Sequence, residues 1–331
     1  MLGLVATPAH AGFDPAVVPA EAQWVLYLDI NSLRSSALGA ELMTLVPEID
    51  LDSKQLPVKL NVPKLIESLG SATAYGTRFT EKPEHMDGAL VVRGTDDLRK
   101  VVQGFLLAGA ASEGSSSEMK IKELSDLGYE AYEVQNELLV ALPPGDAILV
   151  SKSRESLAAA RQLMGSDKGS LARARNAALA PLIPKSMQSF LLAATVVPRD
   201  GAMMPGNGPQ ARILQMASAA SLAVGEDGGM TTARIQIDAT SADMADKLVK
   251  ILQGMVAMLS FAESDDEALA TFLHSVTVEK TKSGALLNLA YPTDRLVHML
   301  KTLRDEQKSS HQAAHRGPAK SAPVEGRIVA E

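Results

Sequence analysis

The stretch Trp24–Gly39, WVLYLDINSLRSSALG, changes character in the middle. Trp24–Leu28 is a run of Trp, Val, Leu, Tyr and Leu, all favourable on a buried sheet, and it reads as a short strand. Asp29 ends the run. Asn31 or Ser32 is placed to cap a following helix by accepting a bond from an orphan backbone N–H. Leu33, Ala37, Ala40 and Leu45 then recur near helical spacing, and Pro47 closes the pattern. Strand ends often carry function, so Asp29 is a candidate catalytic carboxylate. No partner is evident for it, and a strand-terminating acid beside a helix N-terminus is the better account.

Working outward, the same vocabulary returns. Helix Pro63–Leu69 is expected to stop at Gly70, before strands Ala72–Phe79 and Gly88–Arg93 form a hairpin. Thr95 caps a helix running to about Leu107. Ala108–Glu118 is expected to be a mobile loop. Short strands follow at Met119–Leu124, Gly128–Val134, Leu138–Leu142 and Ala147–Ser151, then a helix over Arg154–Met164. After a connection come strand Phe190–Val197, the Gly-, Met- and Pro-rich loop Gly201–Pro209, and a helix near Gln210–Ala217. Strands Ser221–Gly225 and Thr231–Asp238 flank the turn Glu226–Gly229. A long helix reaches Phe261, and Asp265–His274 is a shorter one. Hairpin strands Val276–Lys280 and Ala285–Tyr291 precede a last helix, Asp294–Leu303.

The element order β-α-β-β-α, then strands, then α, occurs twice. The fold class is therefore α+β, with antiparallel sheets carrying helices and a tandem duplication of one unit. Ferredoxin-like or split βαβ units are the nearest analogies. Helix positions Leu98, Val102 and Leu106 in one copy, and Leu248, Leu252 and Met255 in the other, should be buried. The organisation is residues 1–11 a signal-peptide remnant, 12–23 a leader, 24–165 the first unit, 166–189 a connection, 190–304 the second unit and 305–331 a disordered tail. The two units either share one sheet or pack as separate domains.

Composition bounds the function. Hydrophobic residues make up 46% of 331, enough for a core, but only 4% are aromatic, so aliphatic side chains must fill it. A net charge of −7 argues against nucleic acid as a partner, because phosphate neutralisation needs a basic face. There is no cysteine, which excludes disulfides, thiolate nucleophiles and cysteine-type zinc sites. No apolar run is long enough for a transmembrane helix. Met1–Ala11, MLGLVATPAHA, ends in the A-x-A pattern Ala9-His10-Ala11, so the expectation is export, with Gly12 as the first mature residue and Met1 inside a longer signal peptide.

That leader, the WVLYLDINSLR entry and the strand Tyr75–Phe79 (YGTRF) resemble uncharacterised exported bacterial proteins. The resemblance implies no catalytic residues.

Candidate chemistry is sparse. His311 and His315 stand at metal-ligand spacing but lack the Glu of H-E-x-x-H. His10 belongs to the leader, His85 to a solvated turn, His274 to a helix end, and His298 to a helix surface. Gly206-Asn207-Gly208 lacks the third glycine of a dinucleotide loop, since Ala211 stands there. Ser115-Ser116-Ser117 fits no nucleophile elbow. Glu263–Glu267 lacks calcium-loop spacing. Met203-Met204 suits adaptable contacts. The sequence thus names no catalytic, cofactor or metal residue and no cofactor. It points to a non-enzymatic binding or structural role, toward a protein or small ligand. An exported hydrolase or other enzyme with dispersed site residues is the alternative.

Overall fold

The computed structural model describes residues 12–45, 62–78, 87–111, 120–174, 176–184, 189–198, 209–262, 267–302 and 304. The expected signal remnant, the turn holding His85, the serine run, the Gly201–Gly208 loop with its methionines, most of the acidic run Glu263–Glu267, and the tail with His311 and His315 all lie outside the described residues.

The first unit opens with β1 (Trp24–Asp29), then α1 (Ile30–Ser35), α2 (Ala37–Leu45) and α3 (Val62–Ser68). β2 (Leu69–Gly76) and β3 (Gly88–Gly94) form the expected hairpin, and α4 (Asp96–Ala111) follows. β4 (Ile121–Glu123), β5 (Ala131–Val134), β6 (Leu138–Ala141) and β7 (Ala147–Ser151) form a meander closed by α5 (Arg154–Gly165). The second unit has β8 (Leu191–Val196), α6 (Pro209–Met216), β9 (Ala217–Asp227), β10 (Met230–Ala239), α7 (Ala242–Ala262), α8 (Glu267–His274), β11 (Val276–Lys280) and β12 (Gly284–Pro292). Residues 293–302 form α9.

All the described strands join one twelve-stranded sheet, ordered β11-β12-β10-β9-β8-β1-β2-β3-β7-β6-β5-β4. Counted outward from the β1–β8 seam, one side reads β1, β2, β3, β7, β6, β5, β4 and the other β8, β9, β10, β12, β11, so the first five positions correspond and the first unit adds two edge strands. Every pairing is antiparallel, including the seam, where Tyr27 faces Leu192 and Leu26 faces Ala193. A split βαβ unit needs parallel strands joined by a crossover, so that analogy does not hold among the described strands. α1 to α3 instead return the chain to the antiparallel neighbour β2.

Three local expectations are corrected. The cap of α1 is Asp29 itself, whose carboxylate accepts from the Ser32 N–H at 2.9 Å; neither Asn31 nor Ser32 is the cap. The helix after β1 breaks at Ser36, which is extended (φ −86°, ψ 149°), and the Ser36 hydroxyl accepts from the Gly39 N–H to start α2. Gly70 does not end a helix; β2 begins one residue earlier and runs through it. The glycine pair at the β9–β10 turn behaves as expected. Gly228 and Gly229 have φ of 56° and 75°, as a two-residue hairpin turn demands.

The sheet has two dissimilar faces. On one, Val25, Tyr75, Ala89 and Leu149 are covered by the leader, α5 and the connection around Leu171–Leu182. On the other, α4 packs Leu98 and Leu106 onto Tyr132 and Ile148 at one end. α7 packs Val249 and Leu252 onto Ala285 and Ile237 at the opposite end. Val102 and Met255 are half-buried on the same helices. Between α4 and α7 the central strands stay open on this face, so Leu26 is 45% and Ile235 37% exposed. Burying each large aliphatic residue of these clusters stabilises the fold by about 1.5–3 kcal/mol.

Candidate functional site

A cleft of about 690 Å³ lies at the end of the sheet where β1 and β9 finish and β8 begins. Four segments far apart in sequence build it. Phe13 and Pro15 come from the leader, Ser32, Ser35 and Ser36 from the α1–α2 step, Leu171 and Ile183 from the connection, and Phe190, Leu192 and Glu226 from the second unit. Asp29 forms part of its wall. The cleft therefore belongs to the seam between the two units.

Asp29 is 5% exposed. One carboxylate oxygen accepts from the Ser32 N–H and the other from the Ser32 hydroxyl at 2.8 Å. The Tyr27 hydroxyl donates to the same carboxylate. Burial first, then the Asp29 charge and that hydrogen bond, push the Tyr27 phenol far above its ordinary range. Tyr27 is thus a neutral donor at physiological pH, with its ring edge-on to Phe13 at 5.6 Å. The sequence candidate Asp29 is a structural carboxylate at a helix start.

Glu226 does similar work across the seam. Its two carboxylate oxygens accept from the Ala37 and Leu38 N–H groups at 3.2 and 3.1 Å, at the start of α2. An acid at this position is favoured by the helix dipole. α2 is held by the second unit at a second point, since Glu41 pairs with Lys301 at 3.1 Å and with Arg304 at 3.6 Å. The cleft wall from the first unit is therefore fixed by residues of the second. Sequence reasoning missed Glu226 because its partners are nearly two hundred positions away; the sequence places it in the turn Glu226–Gly229, whereas it is a strand residue of β9 opposite Thr231.

Two further hydroxyls are committed as well. Ser35 donates to the Ser32 carbonyl at 2.9 Å, and Ser36 donates to the Leu33 carbonyl at 2.7 Å. Among the described residues no histidine, lysine or arginine lines the cleft. His274 contacts the Ala270 carbonyl through Nδ1 at 2.6 Å at the end of α8, and His298 is exposed on α9. No group of three or more metal-ligating side chains gathers among the described residues. No described helix is long and apolar enough to cross a membrane. A smaller cavity of about 420 Å³ sits at the other end of β8, beside Gln23, Val197 and Asp238.

No family model and no curated protein matches the sequence, so no family of known function is found. Among solved structures, the chain is similar to crystal forms III and IV of TP0453. The TM-score is 0.46 for both, with sequence identities of 9% and 10%. The alignments cover 88% and 89% of this chain and 99% of each TP0453 chain.

Proposed function

We propose that the chain is an exported, non-enzymatic binding protein that holds a small ligand in the seam cleft. The observation that carries this reading is the state of the polar groups in the cleft. Asp29, Glu226, Ser35 and Ser36 all bond to helix ends or backbone, and the Tyr27 phenol is held neutral. Both carboxylates start helices, and among the described residues no histidine, lysine or arginine lines the cleft to relay a proton or steady a developing anion. A cleft of this volume with apolar walls and a few fixed polar groups suits small-molecule binding.

Duplication belongs to the same proposal. The matching strand sequences outward from the seam support it, as do α4 and α7, which each follow the third strand of their unit and cover the same face. Export rests on Ala9-His10-Ala11. Mass spectrometry of protein from the native cell should find Gly12 at the N-terminus; a mature form that retains Met1 would refute it.

The binding reading is tested with a panel of ester, peptide and phosphoester substrates. No turnover that disappears in both Asp29→Asn and Glu226→Gln is expected. Turnover lost in both variants, with folding intact, would establish the hydrolase alternative instead.

A further inference from the structure

We propose that the seam cleft selects an organic ammonium ion: a protonated amine carried on an apolar body. This rests on the binding reading above and adds the class of ligand.

Charge sets the class of ligand. Asp29 and Glu226 both line the cleft, and neither is within ion-pair distance of a cation among the described residues. Each carboxylate faces a helix start, and a helix N-terminus contributes only about half a positive charge. α1 has 6 residues and α2 has 9, so the compensation is at most this large. Two full negative charges thus meet roughly one positive equivalent, and the cleft keeps a negative field. A carboxylate also offers about four acceptor sites. Asp29 uses its sites on Ser32 and Tyr27, while Glu226 spends two on Ala37 and Leu38 and keeps others open.

The geometry sets the shape of the ligand. Asp29 ends β1 and Glu226 lies near the end of β9, with β8 between them. Two strand spacings put the two backbones about 10 Å apart. Leu192 on β8 and Phe190 just before it lie in that interval, and Phe13 and Ile183 close the cleft from the covered face. An ammonium head therefore meets acceptors at the rim, while its apolar body lies along aromatic and aliphatic walls. An anion of the same shape would enter the same field at a cost.

The test is calorimetric titration of the full chain with n-hexylammonium, hexanoate and hexanol, which share a body and differ in head charge. Hexylammonium should bind several-fold more tightly than hexanol, and hexanoate should be weakest. The preference should shrink as salt is added. Glu226→Gln removes the charge and keeps an acceptor for one of the two α2 N–H groups, and should weaken hexylammonium several-fold with hexanol changed far less. Ala172→Trp, an exposed position at the cleft, should block all three probes. If hexanol or hexanoate binds as well as hexylammonium, the ammonium inference falls and the binding reading stands. Hexylammonium binding that survives Ala172→Trp lies elsewhere and overturns the inference. If no probe binds, both readings fall together.

Discussion

Asp29 shows how much one side chain can settle locally. It ends a strand, starts a helix through the Ser32 N–H, and holds the Tyr27 hydroxyl under the cleft. Asp29→Ala removes a helix cap and a buried acceptor together. It should lower stability by about 2 kcal/mol in urea unfolding. Gly39 is a second residue with a sharp expectation. A Cβ there would sit 1.7 Å from the Leu33 carbonyl oxygen, so Gly39→Ala should cost about 1–3 kcal/mol. Gly254, inside α7 with open space around it, is the control: Gly254→Ala should stabilise by about 0.5–1 kcal/mol. The tyrosines set the alkaline limit. Burial raises Tyr27, Tyr75 and Tyr132, the last to about 12. The neutral phenol is favoured in the fold, while the unfolded chain ionises near 10. Stability from Tyr132 is then present below pH 10 and is lost as pH rises toward about 12. Unfolding midpoints and tyrosinate absorbance against pH should show this loss; five tyrosines titrating near 10 in an intact fold would contradict it.

At the scale of elements, the two long helices carry equivalent duties. Leu106 of α4 and Leu248 of α7 are both almost fully buried. Leu106→Ala and Leu248→Ala should each cost about 2–5 kcal/mol, measured by thermal or urea unfolding. Both helices were legible because their apolar positions repeat at helical spacing, with Thr95 at the start of α4 and Thr240 or Ser241 as the expected cap of α7; the Ser241 hydroxyl is the one that accepts, from the Met244 N–H. The Gly228-Gly229 turn was legible because only its residue types accept that backbone. The break at Ser36 was not. Small residues around it preserve the apolar period, and nothing local such as proline marks the interruption. The early start of β2 was hidden for a similar reason, since Gly70 fits a helix end and a strand packed close to the Arg93 carbonyl equally well.

For the whole molecule, the sequence order pointed to two antiparallel units but left open how they meet. Their union is the β1–β8 pairing, between segments more than 160 positions apart, and no local pattern encodes a partner at that distance. The cleft was invisible for the same reason: its walls come from four separate segments. The seam is the premise of both the duplication and the ligand site, and the cysteine-free chain allows a clean test. Asp29 and Phe190 are hydrogen-bonded partners, so by alternation Leu26 and Ala193 form the closer, non-hydrogen-bonded pair. Both lie on the open face, where substitution removes little packing. Leu26→Cys with Ala193→Cys should form a disulfide rapidly under mild oxidation, at a Cα separation of about 4.5 Å. Leu26→Cys with Leu191→Cys, two residues out of register, should form it far more slowly. Equal rates, a preference for the Leu191 pair, or no cross-link in either double variant would contradict the seam, and the cleft would lose its walls with it.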